Sequence, residues 1–372
     1  MKPNKNIKEV AWLFLKLGLI GFGGPAVHIA MMEEEVVRKR NWFSQAHFLD
    51  LVGATNLIPG PNSTEMTMHC GHERAGKLGL IVAGICFIVP AVIITGVFAW
   101  LYKVYGKLPQ VEPFIYGIKP AIIAVIVSLM FTLGKKAVKS VELGTIGIGA
   151  AALALYGVNE ILILFGGGLL GVILYLLRSG DKLSRSLMPV SVLSNLHFTA
   201  EDLKLFGTFL KIGSILYGSG YVLFVFLDEE LVKTGLLNKQ VLLDAIAVGQ
   251  FTPGPVFSSA TFIGWQIGGL PGAIAATIGI FLPSFIFVLL LNPLIPALRK
   301  SKVMSVFLDT VNVISVALIF SICVELGKAS IQDWRTIMIG VLSLVVSLRF
   351  KKLNSAWVIL GGAVVGYFLF LI

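Results

Sequence analysis

The chain has 372 residues, of which 56% are hydrophobic and only 13% charged, with a mean hydropathy of +0.89. A soluble domain carries about 25% charged residues, so a water-soluble globule is excluded and an integral membrane protein is indicated. The formal net charge of +10 is not a nucleic-acid footprint. Its basic residues cluster in short loops, such as Arg38-Lys39-Arg40, Lys135-Lys136, Arg178 to Arg185, Arg299-Lys300 and Arg349 to Lys352, as the positive-inside bias produces.

Long apolar runs without alternating-strand segments make the fold class all-α and polytopic. Lys2, Lys5 and Lys8 precede an apolar run and mimic a signal peptide. Lys16 interrupts that run and no small-residue cleavage site follows, so the segment is read as retained. The run over 10–32 is itself broken by Gly21-Phe22-Gly23-Gly24-Pro25. A charged cluster, Glu33 to Arg40, comes next. An amphipathic helix over 44–57 is ended by Pro59, and a helix over 61–71 is too short to span alone. Runs over 78–102 and 114–133 are long enough to cross. Apolar segments over 143–156 and 161–177 form a pair turned at Gly157-Val158-Asn159-Glu160. A polar linker over 178–204 then divides the chain into 1–177 and 205–372.

The pattern repeats after the linker. Phe14 to Gly18 is echoed by Phe209 to Gly213 at an offset of 195, which places Lys211 on Lys16. Gly21 to Gly24 falls on Leu216 to Ser219, followed by Gly220. Glu34-Glu35 meets Glu229-Glu230. Asp50 meets Asp244, and Pro59-Gly60-Pro61 meets Pro253-Gly254-Pro255 at an offset of 194. Gly71, Gly76, Gly79 and Pro90 match Gly264, Gly269, Gly272 and Pro283 at 193. Each half closes with a crossing helix and an apolar pair, over 305–326, 337–348 and 356–372 in the second. The basic loops 299–302 and 349–352 occupy places that the first-half pattern puts outside, so charge bias favours inverted repeats.

A Pro-Gly-Pro step cannot lie inside a continuous helix. In a membrane such a break frees polar backbone groups that need protein, water or ligand partners. Duplicated halves with broken helices at matching positions point to a transporter site at the repeat interface. Pro61 suits the first position of a helix, which would leave the N–H groups of Asn62, Ser63 and Thr64 at the break. The second copy offers Gln250, Ser258, Ser259 and Thr261. Gly23, Gly24, Pro25, Gly218 and Gly220 form the companion breaks. The alternative reading is a tight turn whose serines bond back to the helix.

The blocks Phe22 to Pro25, Ile58 to Met66, Gly213 to Tyr221, Gln250 to Pro255, Thr261 to Gly264 and Gly279 to Ser284 resemble the chromate ion transporter family in its two-domain, long-chain form. The resemblance covers almost the whole chain. It implies export of chromate across the bacterial inner membrane by a multi-pass protein with homologous halves of opposed orientation. Where many members of the family carry a Glu directly after the first Pro-Gly-Pro, this chain reads Asn62-Ser63-Thr64-Glu65, which marks a distinct subgroup.

Chromate and sulfate are tetrahedral dianions that need N–H and O–H donors and compensating positive charge. Helix N-termini at Gly60 and Gly254 supply donors. Lys16 and Lys211, each in an apolar run, are the candidate cations, with snorkelling as the alternative. Glu65 is the candidate proton-coupling group, because a carboxylate that must be neutralised before an anion binds links protons to transport; a plain N-terminal acid is its rival. Asp50 and Asp244 are expected to pair with Arg38 or Lys233. The acidic runs at 33–35 and 228–230 should mark the interface. Cys70, Cys86, Cys323, His28, His69 and His72 lack metal-ligand spacing beyond a weak 69–72 hint, and no cofactor is expected. With no nucleophile–base pair or metal motif, the expectation is not an enzyme but a proton-coupled carrier of a small oxyanion, surrounded by lipid, with homodimerisation left open. The rivals are a carrier for a phosphate-bearing lipid headgroup and an intramembrane lipid phosphatase.

Overall fold

The computed structural model describes residues 3–106, 108, 110–179, 201–218, 220–291, 301–350 and 353–370. Within them the fold is helical. Helices α1 (Pro3–Ile20) and α2 (Pro25–Met32), the latter continued by a wider π turn over Glu33–Lys39, form the legs of one hairpin. Its tip is the Gly-rich break at 21–24. Arg74 and Arg40 both reach Glu9, and Trp42 Nε1 donates to it, so the chain returns to the level at which it entered. Helix α3 (Gln45–Thr55), N-capped by Ser44, and the start of α4 (Asn62–Tyr105) form a second hairpin with Pro59-Gly60-Pro61 at its tip. His47 meets Glu73 across its open end.

Helix α4 kinks at Ala75–Gly76, where Gly76 has φ +66°. There the short leg turns into the long crossing helix, and Gly71 and Gly79 let the two pass backbone to backbone. Then come α5 (Glu112–Ala137), α6 (Val141–Leu155) and α7 (Glu160–Ser179).

The second repeat rebuilds this plan. Helices α8 (Glu201–Ile215) and α9 (Val222–Leu227), with a π turn over Asp228–Val232, form the first hairpin. Helix α10 (Lys239–Phe251) and the start of α11 (Ser259–Leu291) form the second. The kink in α11 lies at Gly268–Gly269. Helices α12 (Lys302–Ser330), α13 (Trp334–Arg349) and α14 (Ser355–Phe370) complete it. Residues 180–200 of the expected linker, Ser219 and the basic residues at 299–300 and 351–352 lie outside the described residues. Helices α7 and α8 reach into the linker range from both ends, because apolar periodicity continues to Ser179 and resumes by Glu201.

Among the described residues, five segments are long and apolar enough to cross a membrane: Asn62–Tyr105, Glu112–Ala137, Glu160–Arg178, Val256–Leu291 and Lys302–Ser330. The repeats exchange their ends. Helix α5 packs on α13 and α14 of the second repeat, while α12 packs on α6 and α7 of the first. Neither half could bury its long helix alone, so the duplicated chain folds as one body.

Candidate functional site

The tips of the hairpins meet in the centre. The Gly60 N–H donates to the Leu216 carbonyl at 2.8 Å, and the Gly254 N–H donates to the Gly21 carbonyl at 2.7 Å. These are repeat-equivalent bonds, each joining a Pro-Gly-Pro break to the companion break of the other repeat. Both glycines hold positive φ, +136° and +91°, which favours a residue without Cβ. Every residue of both Pro-Gly-Pro steps is buried. Backbone groups freed by each break are thus satisfied by the opposite repeat, as a low-dielectric interior demands.

Around Gly60, Glu65 is fully buried. Ser284 Oγ donates to its Oε1 at 3.3 Å, while its Oε2 has no hydrogen-bond partner among the described residues. Thr64 Oγ1 is also buried without a hydrogen-bond partner among the described residues. Thr64 and Glu65 N–H groups bond back to the Pro61 carbonyl. Only Asn62 and Ser63 of the three expected donors therefore keep their N–H groups outside the helical ladder, and the Asn62 amide is held by Asn56 at 3.0 Å.

Around Gly254 the chemistry differs. Thr95 Oγ1 lies 3.3 Å from Thr252 Oγ1 and 3.2 Å from Ser258 Oγ, all three buried. The Ser258 N–H bonds back to Pro255, and Ser259 Oγ donates to the Val256 carbonyl, the turn-capping behaviour weighed against a site role. Gln250 is buried and its amide oxygen accepts from the Ser355 hydroxyl. His28 Nε2 lies 2.9 Å from the Gly21 carbonyl, so it braces the break. Thr261 pairs with Thr277 at 2.8 Å within α11. The two also line an apolar groove of about 540 Å³ between α4 and α11.

Lys16 and Lys211 stand on the hairpin legs rather than in the breaks. Lys16 pairs with Glu35, and Lys211 with Glu230, each an acid 19 residues on. Both side chains are roughly two-fifths exposed. Their charge is met locally by the acidic runs. No Lys or Arg occurs over 21–25, 56–65, 216–221 or 250–261. Asp244 accepts from the Tyr102 hydroxyl at 2.7 Å, not from Lys233, which pairs with Glu160 and Glu229. Arg38 pairs with Glu33 and Glu34.

Burial raises the Glu35 carboxyl, but the Arg40 guanidinium and the Lys16 ammonium outweigh it and hold the group below the ordinary carboxylate range. Glu9 is held low the same way by Arg74 and Trp42. These pairs stabilise above the usual carboxylate pKa and are lost only as pH falls through the depressed value. They clamp the open end of the first hairpins at neutral pH.

Thr95 and Ser284 were not singled out from sequence. Ser284 follows the repeat-matched Pro283, and Thr95 is the sole threonine of the run over 78–102; those were the available signals.

Two homologous sets of hairpins, pinned tip to tip inside a shell of apolar crossing helices, define a duplicated membrane transporter. The chromate transporter family model matches residues 8–172 and again 203–367, and the chain belongs to that family, which is one of transporters rather than enzymes. The chain is 31% identical to a probable chromate transport protein of Synechococcus elongatus, covering 98% of this chain and 96% of the relative. It is 28% identical to the chromate transport protein of Cupriavidus metallidurans (98% and 93% covered) and 29% identical to that of Pseudomonas aeruginosa (99% and 94%). No solved structure matches the chain.

Proposed function

We propose that this protein exports chromate, or a related tetrahedral oxyanion such as sulfate, across the bacterial inner membrane, coupled to protons and driven by the electrical component of the proton-motive force. The observation that carries the reading is the reciprocal bonding of the two breaks, Gly60 to Leu216 and Gly254 to Gly21. A pivot shared by two halves, with a buried carboxyl beside it, is what alternating access around a fixed site requires. Donors come from the N–H groups of Asn62 and Ser63, from the turn after Pro255, and from hydroxyls near both. Lys16 and Lys211 line the approach, where an incoming dianion competes with Glu35 and Glu230.

The energetics have a definite sign. A dianion that binds only beside neutral Glu65 leaves with one proton and a net charge of −1. An inside-negative potential then drives export, at about 2.3 kcal/mol per charge per 100 mV, while a pH gradient with the outside acidic opposes it. The test is counterflow of labelled chromate in proteoliposomes, with sulfate and phosphate competing across a pH series. Chromate flux that sulfate competes away is the expected result. Flipping of a phosphate-bearing lipid headgroup without chromate flux would overturn it.

The hairpins are re-entrant and the repeats lie in opposite orientations. The support is that the first kink, at 75–76, begins the crossing part of α4, while Gln266, beside the second kink, donates to Ala99 near its far end at 2.9 Å. In a background with Cys70, Cys86 and Cys323 replaced, Lys77→Cys and Leu270→Cys should react with an impermeant maleimide from opposite faces. Labelling from one face would contradict inversion.

A further inference from the structure

The geometry points to an oxyanion subsite on one side of the pivot only, formed by the hydroxyls of Thr95, Thr252 and Ser258. This inference rests on the oxyanion-transport reading above and names side chains that contact the anion in addition to the backbone donors given there.

The protein contains its own control for these residues. Their repeat equivalents are Val288, Ile58 and Thr64. Around Gly60 the same break is therefore built with Val288 and Ile58, which pack together with Leu57, Met68 and Leu80 in a small apolar core. The backbone plan does not need hydroxyls at 95 and 252, whereas at the third place both corners carry one, Thr64 and Ser258. Burying the hydroxyls of Thr95 and Thr252 in a membrane interior carries a desolvation cost that Val288 and Ile58 avoid. Polarity at 95 and 252 thus serves something other than the break.

The hydrogen-bond arrangement suits a ligand. Thr252 donates to the Val248 carbonyl at 2.8 Å, so its proton is committed and its oxygen accepts. Thr95 and Ser258 differ: among the described residues their hydroxyls bond only within the cluster. Both protons can turn to an anionic oxygen without orphaning a backbone group. Thr95 comes from the first repeat and Ser258 from the second, so the subsite closes only when both halves are in register. It opens when they move about the Gly60 and Gly254 bonds. With no Lys or Arg over 250–261, it presents neutral donors at the start of α11. It therefore selects by donor number and shape and releases the anion readily, as a carrier must.

Thr95→Val is the test, because valine is what the chain uses at the equivalent position. Chromate counterflow in proteoliposomes, with wild type and Ser258→Ala run alongside, reads KM and maximal rate. A lost hydrogen bond to a charged ligand should raise KM for chromate about tenfold to a hundredfold in each variant. Val288→Thr, which alters the opposite corner, should leave KM unchanged. Should wild type move chromate while Thr95→Val and Ser258→Ala retain its KM, the subsite is wrong and the transport reading stands. Should wild type move no oxyanion, the transport reading itself falls. Elution of each variant as the wild-type species on size exclusion separates a binding loss from misfolding.

Discussion

Glu65→Gln uncouples transport: chromate–chromate counterflow survives, while chromate no longer moves under an imposed pH gradient, falling to the level of empty vesicles. Glutamine keeps the volume of a fully buried side chain and still accepts from Ser284 through its amide oxygen, so the fold is retained. It is also a permanent mimic of the neutral acid. If the anion binds only when Glu65 is neutral, the variant binds at every pH and carries no proton. In the wild type, proton and anion travel together, so an imposed gradient moves chromate from the acidic to the alkaline side. Electrical driving changes in the opposite sense. The variant moves the full dianion, so its flux responds to membrane potential with two charges rather than one, about 4.6 instead of 2.3 kcal/mol per 100 mV. Flux measured against a valinomycin-clamped potential reads this directly. Retained pH-driven accumulation in Glu65→Gln would assign coupling to another group.

The repeat was legible because its register survives in rigid features. The Pro-Gly-Pro steps, the kink glycines 76 and 269, and the Lys16 and Lys211 positions all fall on offsets of 193 to 195. Proline and glycine act through the backbone, so their spacing reports geometry directly. What each break touches was not legible. Gly60 finds Leu216 and Gly254 finds Gly21 across the repeat boundary, and no local pattern encodes a contact that distant in sequence. The exchange of terminal helix pairs was hidden for a related reason. Helices α6 and α14 are apolar on most faces, and uniform apolarity specifies burial without specifying a partner. From sequence alone Lys16 and Lys211 read as intramembrane cations, because insertion cost is a property of the segment. Their acids lie 19 residues on, beyond any helical spacing, and only the hairpin brings them together. Thr95 carried one faint signal, a lone hydroxyl in an apolar run; its partners Thr252 and Ser258 lie in the other repeat.

Gly254→Ala and Gly60→Ala should fail differently, although the two glycines are equivalent. A Cβ at 254 would stand 2.9 Å from the Ala91 Cβ and 3.4 Å from the Gly18 carbonyl oxygen, with the Phe87 carbonyl behind. None of these is the end of a flexible side chain. Positive φ for a residue other than glycine costs about 1–3 kcal/mol, and overpacking adds about 1–3 more. The sum is a large share of the roughly 5–15 kcal/mol that holds a domain together. Gly254→Ala should therefore lower the thermal midpoint steeply and reduce the yield of folded protein. At Gly60 the atoms in the way are Ser284 Oγ and Glu65 Oε1, both on side chains that can rotate. Gly60→Ala should stay folded but part Ser284 from Glu65, so its lesion appears in pH-driven transport. Second-site changes separate strain from crowding: Ala91→Gly should recover part of the midpoint lost in Gly254→Ala, leaving the dihedral cost. Ser284→Ala should relieve Gly60→Ala in stability without restoring coupling. Equal losses at both glycines, with no recovery from Ala91→Gly, would mean that the breaks are not held by the contacts across the pivot.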